Sequence, residues 1–314
     1  MTIETAQDIL TQSQVALLRT LLYFDVFSYP LSEAELYANA AVDLPEDDFR
    51  DALNCLERRG LLRKQSGFLI LPHTDDSVIE RRQKGNEGAT RMMPEAQAYS
   101  MKIAAFPFVE GICLSGGLSK NYYDKDGDID YLIMTRSDRL WVCRTLLIIR
   151  YKLLPASRKR FWCINYFIGA SALRVPDTNY FVSTELSHLI PTVNYQFYED
   201  MLNANSWYLR DYPNKARIPA GESADLPSGI TKRTIEWLLS GAFGAWLDDR
   251  LLAYTLRRWR SKYPEMSEED FELQFRSRKN VCKRHTHGFQ NKVLTAWEEK
   301  IRLFEVTHAL SLRP

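Results

Sequence analysis

The sequence predicts an α+β protein: a small mixed sheet, with three short helices and a hairpin ahead of it and a helical region behind. Three observations carry this expectation. Two apolar runs, residues 109–114 and 131–134, flank a glycine pair and an acidic loop, as two sheet strands joined by turn chemistry would. Upstream, helical apolar spacing recurs three times and ends in a Ser-Gly turn between short apolar segments. Downstream of Ile230 the apolar residues again recur at helical spacing, almost to the end of the chain.

The N-terminal elements follow in order. Val15, Leu17, Leu18, Leu21 and Leu22 make one face of a helix over residues 14–24. Ser32 is placed to cap a second short helix through Ala38, and Pro45-Glu46-Asp47-Asp48 opens a third that reaches Arg59 and stops at Gly60. Residues 61–64 and 68–71 flank Gln65-Ser66-Gly67, a hairpin signal. Three helices and a hairpin resemble a winged helix, and the Ala52-Leu53, Leu56, Gly60-Leu61-Leu62 pattern is similar to that family's third helix and wing. The acidic start of the third helix (Glu46, Asp47, Asp48, Asp51) would repel phosphate, which favours packing or a protein partner; Arg58, Arg59, Arg63 and Lys64 keep a nucleic-acid partner open.

A polar linker over residues 73–86 leads to a helix over residues 93–105 and then the first central strand. After the second strand, residues 140–153 read as a helix with Arg144 and Arg150 solvated, and residues 160–168 as a third strand. Residues 184–189 and 195–204 read as helices broken by Pro191. The tail reads as helices over 234–256 and 291–304, with Trp237, Trp246, Trp259 and Trp297 as packing residues. The domain expectation is therefore 1–75, 76–225 and 226–314.

The chemistry concentrates in Ser115-Gly116-Gly117-Leu118-Ser119-Lys120 and in Asp124-Lys125-Asp126-Gly127-Asp128-Ile129-Asp130. On a strand, Asp128 and Asp130 share one face, and two close carboxylates make sense around a divalent cation; hard oxygen donors suit Mg2+ or Mn2+. Gly116 and Gly117 let backbone amides approach an anion, and a helix starting near Ser119 would direct its positive end there. The acidic loop fails as a calcium loop, because the sixth and twelfth positions counted from Asp124 are Ile129 and Thr135. Neither a P-loop nor a dinucleotide fingerprint is present. A plain acidic hairpin turn would explain the loop but not the glycine pair upstream.

These residues resemble the nucleotidyltransferase superfamily that includes DNA polymerase β, with its glycine turn, short spacer and Asp-x-Asp strand; the core match spans about residues 109–135, and a looser likeness continues towards 213. The resemblance implies that Asp128 and Asp130 hold the metal ions and carry catalysis. It also implies that Gly116, Gly117, Ser119 and Lys120 bind the phosphates of an NTP, and that an acceptor hydroxyl or phosphate takes the nucleoside monophosphate. Many active members carry a third carboxylate on a later strand, for which the next strand here, residues 160–168, is the candidate. Here the central polar residue is Asn165, which cannot be a general base, so that position falls to Asn165, to Glu185 or Asp177 from elsewhere, or to none. The alternative is a nucleotide-binding regulator with a degenerate site. The acceptor stays open among small molecules, protein side chains and nucleic-acid ends.

Composition is consistent with a cytoplasmic protein. The 314 residues carry 41 basic and 40 acidic side chains, which gives no global pull on nucleic acid or an anionic membrane. Five scattered cysteines without a C-x-x-C pair read as reduced, buried thiols, and no leader or membrane span is expected. His285 and His287 read as a polar loop rather than a metal pair.

Overall fold

A computed structural model describes residues 10–283 and 288–313; His285 and His287 lie outside the described residues. Helices α1 (Gln12–Asp25), α2 (Glu33–Asn39) and α3 (Glu46–Arg58) lead into an antiparallel hairpin of β1 (Arg63–Gln65) and β2 (Phe68–Ile70). The local reasons are those the sequence offers. Ser32 accepts from the Glu35 amide at 3.2 Å while Glu35 Oε2 accepts from the Ser32 amide at 2.9 Å, a complete capping box. Ser66 and Gly67 both take positive φ, +49° and +82°, as a two-residue hairpin turn requires. The hairpin's cations are engaged within the chain: Arg63 pairs with Asp76, and Lys64 with Glu33 at 2.8 Å and Glu57 at 3.6 Å.

The stretch expected as a polar linker is helical from Ser77 onward, as part of α4 (Ser77–Ala104). Polar side chains anchor it there. Arg82, almost fully buried, stacks 3.7 Å from the Tyr29 ring and pairs with Glu35, so the helix face is held by cation–π and ionic contacts rather than by an apolar stripe.

The mixed six-stranded sheet has the order β6-β3-β4-β5-β8-β7. Its elements are β3 (Val109–Ser115), the short turn of helix α5 (Gly116–Ser119), β4 (Asp130–Thr135), α6 (Leu140–Lys152), α7 (Ala156–Lys159), β5 (Cys163–Gly169), α8 (Tyr180–Ser187), β6 (Ile190–Val193) and α9 (Tyr195–Ala204). After these come α10 (Ile230–Leu238), α11 (Ala242–Lys262), α12 (Glu268–Gln274), β7 (Ser277–Arg278), β8 (Val281–Lys283) and α13 (Phe289–His308). Only β4 and β5 pair in parallel, across the α6–α7 crossover; the other pairs are antiparallel. Ile112, Leu114, Tyr131 and Ile133 face α4 and α6, while Cys113, Leu132 and Met134 face α8 and α9. Burial on both faces explains why these strands are apolar runs rather than alternations.

Four sequence expectations are corrected. Pro191 does not separate two helices directly; it lies in β6, an edge strand where a missing amide is tolerated. The tail is not helical throughout, since β7 and β8 extend the sheet beyond β5. Arg144 is not solvated: it is 8% exposed, packed against Trp141 and Trp259. Of the four tail tryptophans, Trp259 and Trp297 are buried as expected, but Trp237 and Trp246 are 75% and 52% exposed. Cys113, Cys143 and Cys282 are buried and Cys55 and Cys163 are partly so. No described helix is long and apolar enough to cross a membrane.

The residues after 226 divide between two cores. Helix α11 packs on α6, whereas α13 joins the N-terminal core through Val293, Trp297, Ile301 and Phe304. Asp248 on α11 is fully buried and accepts from the Trp141 and Val142 amides at 2.8 and 2.9 Å, capping α6 from another helix, with Lys279 3.3 Å from its second oxygen. Asp248→Ala should therefore lower the unfolding free energy by about 3 kcal/mol, since it orphans two buried amide donors, while Lys279 keeps its second partner Asp249. A denaturant melt showing less than about 1 kcal/mol would remove this cap from the account.

Candidate active site

Ser115, at the end of β3, lies opposite Asp130, the first residue of β4. The chain leaves β3 through Gly116 at φ +67°, and a Cβ there would be driven into the Asp130 carboxylate. Glycine is thus required both by the turn and by the close approach of Asp130. The helical turn begins at Gly116 and ends at Ser119, instead of starting near Ser119 as expected. It is too short for a substantial dipole, so what it offers an anion is its leading backbone N–H groups. The Ser119 hydroxyl donates to Gly116 O at 3.0 Å. Lys120 Nζ donates to the same carbonyl at 3.1 Å and to Glu185 Oε1 at 2.8 Å. The Tyr29 hydroxyl donates to Lys120 O, so the connection between α1 and α2 braces the glycine loop directly.

Across the parallel β4–β5 pair, Asp130 is in register with Cys163. Ligand atoms of Asp128, Asp130 and Cys163 all lie within 4.8 Å of one another. The third corner of the carboxylate pair is therefore a thiol. Asn165 lies two residues further on β5 and its Nδ2 donates to Cys163 Sγ at 2.8 Å, so it contacts that corner without a carboxylate of its own. Glu185 lines the same cavity as Asp130 but is held by Lys120. Asp177 is engaged by Arg276 at 2.9 Å and Lys283 at 3.6 Å. Sequence reasoning passed over Cys163 because nothing in one strand reveals which residue of its neighbour stands in register with it.

Burial, reinforced by the neighbouring Asp128, pushes the Asp130 carboxyl up to about 6, while a hydrogen bond with Cys163 and the Lys120 charge act against the rise. Burial and the two aspartates together push the Cys163 thiol well above its ordinary value. Neither Asp128 nor Asp130 forms an ion pair among the described residues. A half-buried carboxylate with an acidic neighbour and no paired cation is suited to a divalent ion, so the donor set fits one. A cavity of about 240 Å3 runs from Gly116 and Asp130 past Asn165 and Glu185 to Lys283 and Phe289. A second, of about 420 Å3, opens beside Asp128 and shares Asn165 with the first.

No family model, curated protein or solved structure matches the chain.

Proposed function

We propose that the protein is a divalent-metal-dependent nucleotidyltransferase of the polymerase β type, moving a nucleoside monophosphate from an NTP to an acceptor. The observation that carries this is the packing of the Asp130 carboxylate directly on Gly116, which puts the carboxylate pair within reach of a polyphosphate held by the loop. Mg2+ or Mn2+ bound there would neutralise phosphate charge and polarise the α-phosphorus. Asp128 and Asp130 hold the ion; the amides of the Gly116–Ser119 turn hold the terminal phosphates. Lys120 exchanges its Glu185 partner for phosphate, and Glu185, once released, takes the proton from the acceptor hydroxyl as the new O–P bond forms and pyrophosphate leaves.

The thiol at the third corner has a consequence for metal choice. A softer donor favours Mn2+ over Mg2+ relative to an all-carboxylate site. Turnover should therefore be faster in Mn2+, and Cys163→Asp should raise the Mg2+ rate and narrow the ratio. An unchanged ratio would remove Cys163 from the metal's surroundings.

A second reading, a nucleotide-binding regulator, is favoured by the same two features: the thiol in place of a third acid and the Lys120–Glu185 pair. Pyrophosphate release measured with each NTP in Mg2+ and Mn2+ separates the two. Release lost in Asp128→Asn/Asp130→Asn supports the transferase; metal-dependent binding without release supports the regulator; neither behaviour sinks both.

A further inference from the structure

The cavity beside Asp128 is lined by three cations, Arg144, Lys159 and Arg160, together with Asp126 and Asp128. None of the three forms an ion pair among the described residues, although two carboxylates share the cavity. Each is positioned by an aromatic ring instead: Arg144 lies 5.0 Å from Trp259 and 5.7 Å from Trp141, Lys159 5.4 Å from Tyr151 and Arg160 4.7 Å from Phe161. Arg160 also donates to Lys125 O at 2.9 Å, fixing the loop that carries Asp126 and Asp128.

Arg144 is the decisive member. It is 8% exposed. Burying a guanidinium without an anion is costly. Stacking on indole faces leaves its in-plane N–H donors unused, and none of its nitrogens is sealed from solvent without a partner, so the donors open into the cavities it lines.

The geometry points to an anion pocket for the acceptor: a small molecule whose phosphate or carboxylate group is held by Arg144, Lys159 and Arg160, with its hydroxyl directed past Asp128 and Asn165 towards Asp130 and Glu185. The acceptor's role rests on the transferase reading, whereas the anion site stands on the cavity. The volume suits a small molecule. Metal at Asp128 would remove the repulsion that this carboxylate exerts on the incoming anion.

The test is calorimetric titration of inorganic phosphate into the full chain, with and without Mn2+. Arg144→Gln, and independently the surface pair Lys159→Gln/Arg160→Gln, which does not put folding at risk, should each weaken phosphate binding about tenfold or more. Asp128→Asn should tighten metal-free binding, and Lys120→Gln should leave the cavity's binding unchanged. Displacement by glycerol 3-phosphate or by glycerate then tells phosphate from carboxylate acceptors, and either supports the pocket. Binding insensitive to both cavity variants, or lost only in Lys120→Gln, would overturn it by putting the anion on the glycine loop. Displacement by a single-stranded oligonucleotide but by neither small anion would overturn the small-acceptor assignment. If the cavity variants behave as expected while no NTP yields pyrophosphate, the anion pocket stands and the transferase reading falls.

Discussion

Asp130→Asn is expected to unfold at a higher temperature than the wild type without metal and at a lower temperature than the wild type in Mn2+. The first half follows from linkage. A carboxyl whose pKa is raised on folding, here from 3.8 to about 6, stabilises the fold while protonated and loses that contribution as pH rises through 6. At pH 7 the ionised group therefore costs the metal-free protein on the order of 1–3 kcal/mol, which an uncharged amide avoids. The second half follows from ligation: the wild type gains stability by binding the ion, whereas the variant has lost a ligand. Turnover should fall by about three orders of magnitude, in keeping with the several kcal/mol a bound ion supplies. The same linkage makes the metal-induced rise in Tm small at pH 5 and full at pH 7.5, because a proton and the ion compete for Asp130. Parallel melts with and without Mn2+ decide the matter. A variant less stable under both conditions would mean that Asp130 is a structural carboxylate.

Gly116→Val should abolish metal binding although it removes no ligand. Any Cβ at this position collides with the Asp130 carboxylate, and φ +67° is strained for a branched residue by roughly 1–2 kcal/mol. Gly60 provides the control: it has nearly the same φ, +68°, but nothing within 4 Å of the added Cβ. Gly60→Val should carry the backbone penalty alone and leave metal binding intact, as Mn2+ titrations of the two variants would show. Equal metal affinity in both would mean that Asp130 tolerates displacement and that the close approach at Gly116 has no bearing on the site.

The elements legible in the sequence are those whose cause is local. Ser32 and Glu35 announce a helix start within four residues, and the Ser66-Gly67 turn dictates its hairpin. The runs in β3 and β4 are apolar because both faces are covered, so they stand out without periodicity. What stayed hidden depends on distant partners. The first turns of α4 look like a linker until Arg82 meets Tyr29 and Glu35. β6 carries a proline, and β7 and β8 are two and three residues long, too short for any pattern to emerge. At the site, the Asp-x-Asp pair and the glycine turn are adjacent in sequence and readable, whereas Cys163 enters only through strand register and Arg144 only through α6 packing on α11. The Lys120–Glu185 pair joins residues on α8 and the glycine loop, which no local spacing could reveal.

The most direct test of the central claim is electron paramagnetic resonance of Mn2+ titrated into the wild type and into Asp128→Asn/Asp130→Asn, each with and without a non-hydrolysable NTP analogue. Stoichiometric Mn2+ binding by the wild type, tightened by the nucleotide and absent from the double variant, is the expected result. Binding that is indifferent to both aspartates, or no binding even with nucleotide present, would contradict a metal-dependent nucleotide site at this position.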